Sequence, residues 1–208
     1  NKVDLNSDGL DDLYIFDRHA RRGYTFISDD NKYSYSPEFE HYLPEELEHW
    51  VIFKDYNCDG KNDIFTASLF GMQLFENVSD GSGIPSWELK YSTIYTEGAA
   101  GQINLQLNKG DIPGIQDIDG DGDLDILVFD FALGGGIQLH KNMSVERTGS
   151  CDLDLVNTTD RYGEFEECDC DYYVFGSDQC PTGGRLQHSG GKSIVSYAYS
   201  SATVQDLL

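Results

Sequence analysis

Apolar residues occur along this chain in short runs that are typical of β-strands. Residues 23–27 read as a strand, and residues 33–36 alternate between aromatic and polar positions with a period of two, which places every second side chain on the same face of a sheet. Residues 12–17, 63–69 and 126–131 are rich in aromatic and branched apolar side chains, which strands favour. The pattern therefore predicts an all-β chain.

The same order of elements occurs three times. Each unit has a strand, an acidic loop, a second strand, a turn and a third strand; residues 72–76 and 137–142 are the third strands of the second and third units. A further strand follows in the first two units, at residues 33–36 and 87–91. About four strands per unit, recurring along the chain, predict the blades of a β-propeller. Three such units and the start of a fourth would form only part of one.

The acidic loops share a nine-residue frame. Loop 3, residues 117–125, has aspartate at positions 1, 3, 5 and 9 and glycine at position 6; loop 1 (residues 4–12) and loop 2 (residues 55–63) repeat this frame with asparagine at position 3. Such spacing folds a loop around one hard cation, and Ca²⁺ accepts about six to eight oxygen ligands. Position 7, Asp123 in loop 3, would contribute its backbone carbonyl. The sequence predicts three Ca²⁺ sites.

An EF-hand begins with a similar motif but requires a glutamate at position 12 and a helix on each side. Position 12 is Ile15, Thr66 and Val128 in the three loops. Residues 50–53, before loop 2, and 126–129, after loop 3, are runs of strand type. The loops are therefore predicted to join two strands, and an EF-hand is excluded.

Acidic residues greatly outnumber basic ones, and the formal net charge is −23. Nucleic acids and anionic membranes require clusters of Lys and Arg, so no nucleic-acid partner is expected. No apolar run reaches the roughly 18 residues of a membrane-spanning helix, so no direct membrane insertion is expected. Carboxylates about 5 Å apart repel by roughly 1–3 kcal/mol. We therefore expect the loops to open without a cation, and a chelator to lower the melting temperature.

Four of the five cysteines lie in a segment, residues 144–192, that interrupts the repeat. They predict a small insert with two disulfides, either Cys151–Cys168 with Cys170–Cys180 or Cys151–Cys170 with Cys168–Cys180. The alternative is a zinc site of the four thiolates with His188, but the spacing typical of zinc knuckles is absent. Cys58 occupies a non-ligand position of loop 2 and is predicted to be a free thiol.

Several short motifs resemble functional signals but lack the required context. His188-Ser189 has no nucleophile elbow, and residues 190–193 lack the earlier glycine and the helix of a phosphate-binding loop. No enzymatic activity is therefore predicted. Asn77, Asn142 and Asn157 begin glycosylation sequons, which matter only in a eukaryotic secretory host.

The repeated D-x-[DN]-x-D-G-x-x-D frame between two strands resembles the FG-GAP/VCBS repeat family, the calcium-loop β-propellers related to the integrin α-chain head. In that family seven blades usually close a ring. The resemblance, together with chain ends that lie in mid-repeat, leads us to expect a fragment of a larger propeller. The Ca²⁺ ligands carried over by the motif are Asp4, Asn6, Asp8, Leu10 and Asp12; Asp55, Asn57, Asp59, Lys61 and Asp63; and Asp117, Asp119, Asp121, Asp123 and Asp125.

The expected boundaries follow from the repeats. They are residues 1–54, 55–116 and 117–143 for three blades, 144–192 for the cysteine-rich insert and 193–208 for the start of a fourth blade. Leu208 occupies position 3 of the fourth loop, so a fourth site is not predicted.

The arrangement also resembles exported VCBS proteins of the Bacteroidota, many of which are cargo of the type IX secretion system. It implies a calcium-stabilised, secreted or cell-surface module that binds or scaffolds a protein or glycan, within a larger secretion or surface complex. The alternative is an accessory propeller region of a secreted polysaccharide-degrading enzyme.

Overall fold

The computed structural model describes residues 1–29, 32–69, 71–131, 135–169 and 172–180. The chain divides into two compact units, Asn1–Ile94 and Tyr95–Leu208. The described residues form four sheets, none of which is closed, and only short helical segments. The prediction of an all-β chain is confirmed.

The first unit contains two four-stranded antiparallel sheets with the same strand order. In each sheet the strands follow one another along the chain, and the acidic loop joins the first strand to the second. The first sheet consists of β1 (Lys2–Val3), β2 (Asp12–Asp17), β3 (Arg22–Asp29) and β4 (Lys32–Tyr35). The second consists of β5 (Val51–Lys54), β6 (Asp63–Ser68), β7 (Gly71–Asn77) and β8 (Trp87–Tyr91).

The connection between these two sheets contains a 3₁₀ helix, Pro37–Tyr42. Leu43 and Leu47, which follow it, pack in one core with residues of both sheets, among them Tyr14, Phe53 and Phe75. The connection is fixed to the second sheet by Thr66, a buried residue of β6. Its hydroxyl oxygen lies 3.0 Å from the carbonyl oxygen of Glu48 and 2.7 Å from that of Trp50, the two acceptors for its single proton. The two sheets thus form one folding unit around a shared apolar core.

The second unit is built on a six-stranded sheet with the order β10-β9-β14-β13-β12-β11. The last four of these strands form an antiparallel meander like those of the first unit, again with an acidic loop after its first strand. The parallel pairing of β14 with β9 adds a hairpin to this meander. The strands are β9 (Tyr95–Gly98), β10 (Gly101–Asn104), β11 (Gly114–Gln116), β12 (Asp125–Phe129), β13 (Ile137–Asn142) and β14 (Leu155–Thr159).

Strand β14 lies within residues 144–192, the range that the sequence assigned to an insert. The third four-stranded unit therefore extends into this range. A short helix, α1 (Ser144–Thr148), lies between β13 and β14, and a 3₁₀ turn, Tyr162–Glu164, follows β14. The hairpin of β15 (Phe165–Asp169) and β16 (Tyr172–Phe175) completes the described part of the unit. The predicted start of a fourth blade, residues 193–208, lies outside the described residues.

Two disulfides include residues of the predicted insert. Cys168 bonds to Cys180, as in the second of the two predicted connectivities, and Cys151 is also disulfide-bonded. A four-thiolate zinc site is incompatible with these bonds. The prediction of a free thiol at Cys58 is wrong, because Cys58, an exposed residue of loop 2, is disulfide-bonded. Cys170 lies outside the described residues.

Candidate metal centre

The three acidic loops occupy the same place in the three meanders. Each begins just after a short first strand and ends at the first residue of the second strand, which is the position-9 aspartate: Asp12 in β2, Asp63 in β6 and Asp125 in β12. The nine-residue frame read from the sequence therefore corresponds to one recurring piece of structure.

The position-9 aspartates are buried and accept a backbone hydrogen bond on each carboxylate oxygen. One oxygen accepts the N–H of position 2, and the other accepts an N–H of the third strand of the same sheet. The donors are Leu5 and Ser28 for Asp12, Tyr56 and Asn77 for Asp63, and Ile118 and Asn142 for Asp125, all at 2.8–3.0 Å. Each carboxylate thus holds its loop against the neighbouring strand, a role that the sequence frame did not indicate.

The position-1 aspartates accept hydrogen bonds from N–H groups of their own loop. Asp55 accepts those of Asp59 and Gly60 at 3.1 and 2.8 Å, and Asp4 makes the same pair of contacts in loop 1. Asp117 accepts the N–H of Gly120 and of Gly122. These donors offset part of the repulsion among the carboxylates, so the loops are ordered by their own backbone.

Two residues of each loop have a left-handed backbone. Position 6 is glycine in every loop, and loop 3 also has glycine at position 4. The φ angles of these four glycines lie between 82 and 104°. Position 4 is Ser7 in loop 1 and Cys58 in loop 2, with φ of 59 and 60°. Non-glycine residues adopt this region at a cost, so loop 3, with Gly120 at position 4, has the least backbone strain.

Burial raises the pKa of all three position-9 aspartates, although the two N–H donors of each oppose the shift. The pKa of Asp63 reaches about 6. The neighbouring carboxylates at positions 1 and 5 raise the pKa of Asp12 and Asp63 further. Burial is the largest cause of each shift, and a cation bound beside these carboxylates would oppose it.

A lysine and a glutamate from outside the nine-residue frame lie beside loop 3. Lys141 of β13 forms ion pairs with Asp119 and with Glu146 of α1, and its ammonium lies 3.8 Å from Asp121. Hydrogen bonds from Lys141 lower the pKa of Asp119 and of Glu146. Desolvation, together with the charges of the surrounding carboxylates, raises the pKa of Asp121 to about 6.

The side chain of Asp123, at position 7 of loop 3, is also part of this group. It is 1% exposed, and its Oδ2 accepts hydrogen bonds from the Ser144 hydroxyl and the Val145 N–H, both at 3.0 Å. The sequence assigned only its backbone carbonyl to the site. At the same position, Leu10 is exposed and the Lys61 ammonium donates to the carbonyl of Ser79.

The donor set of loop 3 fits a hard cation. Carboxylate oxygens of Asp117, Asp119 and Asp125 lie within 4.8 Å of one another, as do those of Asp119, Asp121 and Glu146. Asp121 Oδ2 and Asp123 Oδ1 are buried and accept no hydrogen bond, and a divalent cation would supply the positive charge that they lack. Elsewhere among the described residues, including loops 1 and 2, no three acidic, His or Cys side chains come this close.

Two of the three sequons are structural turns next to the loops. Asn77 and Asn142 are buried and end the third strand of their sheets. The side-chain oxygen of each accepts the N–H of the serine two residues later, which defines an Asx turn. The amide group of Asn142 donates to the carbonyl of Asp152 at 2.8 Å. The recurrence of Asn-x-Ser at these two positions is thus explained by folding.

Sequence reasoning missed Lys141, Glu146 and Ser144, because none belongs to the nine-residue frame. Their positions relative to the third strand give an indirect signal for Lys141. Lys141 immediately precedes Asn142, whose N–H binds the position-9 aspartate. The corresponding residue of the second sheet, Glu76, also contacts its loop, because it accepts a hydrogen bond from position 3 of loop 2.

A scan against models of protein families, a search of curated proteins and a search of solved structures each found no match to this chain. Among the described residues, no helix has the length and apolar character needed to cross a membrane.

Proposed function

We propose that this chain is part of a calcium-stabilised β-propeller that acts outside the cell as a binding or scaffolding module. The observation that carries the proposal is the recurrence of one acidic loop at one place in three four-stranded meanders. A fold that only needed to close a turn would not require at least three aspartates in every nine-residue loop. The carboxylate charge is best explained by a cation.

Two further features support an extracellular site of action. Four described cysteines are disulfide-bonded, and disulfides persist in oxidising compartments. Ca²⁺ sites are also common in extracellular modules. The expected ligand is a surface protein or a glycan, since the net charge of −23 disfavours nucleic acid and anionic membranes.

The calcium part of the proposal is tested by isothermal titration calorimetry of the chelator-treated chain. We expect three Ca²⁺ per chain, and the loss of one site in each of Asp8→Asn, Asp59→Asn and Asp121→Asn. These position-5 changes remove one charge but keep an oxygen that can accept the N–H two residues later, which Asp8 and Asp59 accept at 2.8 and 2.9 Å. Zero bound Ca²⁺, or an unchanged stoichiometry in all three variants, would overturn the proposal.

The binding part is tested separately with the calcium-loaded chain on a glycan array and against purified surface proteins. Binding that is lost in EDTA and retained in a surface control such as Asp11→Asn would support a calcium-dependent module. An absence of binding to both sets of probes would favour a passive spacer.

A further inference from the structure

In loop 3 a lysine of the neighbouring strand β13 lies among carboxylates at predicted ligand positions. The Lys141 ammonium contacts carboxylates at positions 3 and 5 of the loop and the carboxylate of Glu146. Its side chain is 25% exposed, so the contact is partly shielded from solvent. These are the same carboxylates that form one of the two close groups of oxygens, Asp119, Asp121 and Glu146.

In each sheet a residue of the third strand donates its N–H to the position-9 aspartate, and the residue just before that donor differs among the three sheets. It is Ile27, Glu76 and Lys141 in the order of the chain. In loop 2 a neutral Asn57 donates to Glu76 at 3.2 Å, whereas in loop 3 an acidic Asp119 pairs with Lys141. In these two sheets the third strand thus provides a side chain that binds the residue at position 3 of the loop: an acceptor for the asparagine and a cation for the aspartate.

We propose that Lys141 is a tethered counter-ion which a divalent cation displaces from loop 3, and that Glu146 then becomes a ligand from outside the nine-residue frame. This inference rests on the calcium-binding function proposed above. Two buried oxygens without a hydrogen-bond donor, Asp121 Oδ2 and Asp123 Oδ1, support it. The Lys141 ammonium lies 3.8 Å from Asp121 Oδ2, which is beyond hydrogen-bond distance. The ammonium therefore neutralises the Asp121 carboxylate only in part.

The proposal changes the expected order of affinities. By charge count alone, loop 3, with aspartate at all of positions 1, 3, 5 and 9, would bind Ca²⁺ more tightly than loops 1 and 2, which have aspartate at three of these positions. A cation that enters loop 3 must first break the ion pairs of Lys141, so part of the attraction is lost. Calcium affinity of loop 3 is therefore set by a strand residue rather than by the loop alone.

The experiment uses the full chain with Asp8→Asn and Asp59→Asn, which weaken loops 1 and 2 and leave loop 3 as the main site. We expect Lys141→Met to increase the Ca²⁺ affinity of this background about tenfold in calorimetry. The matched control is Lys90→Met, which removes the same charge from an ion pair with Glu76 in the other unit. An equal effect of the two substitutions would overturn the role of Lys141.

The role of Glu146 is tested in the Lys141→Met variant, where Glu146 has no lysine to neutralise. If Glu146 is a ligand, Glu146→Gln lowers affinity about tenfold there. Asp154→Asn is the control, because Asp154 pairs with the adjacent Arg147 instead. An effect of Glu146→Gln no larger than that of Asp154→Asn would overturn the assignment.

A nuclear magnetic resonance measurement distinguishes displacement from a general charge effect. The ammonium signal of Lys141 should be observed in EDTA and should broaden or shift when loop 3 binds Ca²⁺; an unchanged signal at saturation would overturn displacement. Absence of Ca²⁺ binding by the wild-type chain would overturn the proposed function itself. Binding by wild type with no specific effect of Lys141→Met would overturn this inference alone.

Discussion

Substitution of a position-9 aspartate tests whether these residues hold the loops in place without metal. Asp12 is fully buried, and its two oxygens accept the N–H groups of Leu5 and Ser28 at 2.8 Å each. In Asp12→Asn the side chain keeps its shape, but only one oxygen remains. The new amide group would face the second N–H, and neither group could accept a hydrogen bond from the other.

The expected loss can be worked from these two contacts. A buried N–H without an acceptor costs about 1–3 kcal/mol. Part of this is offset because the substitution removes a buried charge, whose desolvation raises the pKa of Asp12. We therefore expect the free energy of unfolding to fall by about 1–2 kcal/mol.

The assay is urea denaturation in excess EDTA, followed by tryptophan fluorescence. Both tryptophans, Trp50 and Trp87, lie in the first unit, so the signal reports the unit that contains Asp12. With a urea dependence of about 2 kcal/mol/M, the midpoint should fall by about 0.5–1 M. Hydrogen exchange at the amides of Leu5 and Ser28 should also be faster.

Asp11→Asn is the matched control. Its side chain is 56% exposed and lies 3.7 Å from Lys2, so its replacement should change the midpoint little. The reasoning is refuted if Asp12→Asn and Asp11→Asn have the same midpoint, or if the two amides remain equally protected in Asp12→Asn.

Three further predictions concern contacts described above. Thr66→Val removes the hydroxyl donor next to the carbonyls of Glu48 and Trp50, and urea denaturation should show that the free energy of unfolding falls by about 1–2 kcal/mol. Asn142→Ala removes the buried Asx turn, and near-ultraviolet circular dichroism should show a melting temperature several degrees lower, whereas Asn157→Ala should change it little. In EDTA, the Asp63 contribution should increase stability as the pH falls from 7 to 5. The folded pKa of about 6 exceeds the unfolded value of about 3.9, so the folded state takes up the proton at a higher pH than the unfolded state. Between these two values the free energy of unfolding rises by up to about 1.4 kcal/mol for each unit by which the pH falls.

Each of these predictions has a control and a contradicting result. Thr66→Ser keeps the hydroxyl and should retain most of the stability; equal losses in the serine and valine variants would assign the effect to packing instead. Equal melting temperatures for the two asparagine variants would contradict the structural role of Asn142. For the pH effect, the difference in stability between pH 5 and 7 should be more favourable in wild type than in Asp63→Asn, and equal differences would contradict the proposed desolvation.

The repeated loops and strands could be predicted because they depend on local sequence. The alternation over residues 33–36 and the spacing of acids and glycine in residues 117–125 are complete within a few positions. The third strand of each unit was also predicted close to its observed bounds, and β13 (Ile137–Asn142) matched the predicted range. Such features need no knowledge of which strands are neighbours.

The contacts of loop 3 with Lys141 and Glu146 could not be predicted in this way. They depend on the antiparallel register of β12 with β13, in which Leu127 pairs with Leu139, and on a five-residue helix that follows. The parallel pairing of β14 with β9 is likewise a long-range backbone contact without a pattern of its own. The disulfide at Cys58 was missed because a disulfide depends on which cysteines lie close together in the fold, and the local sequence around Cys58 does not indicate this.

The internal hydrogen bonds of the acidic loops also affect how a metal would enter and leave. A site whose backbone is already fixed by amide donors loses little conformational freedom when an ion arrives, so association can be fast and the ordering cost small. Calcium would then raise the melting temperature by mass action, in proportion to the logarithm of its concentration. We therefore expect removal of calcium to lower the melting temperature without abolishing the strand pairing of each sheet.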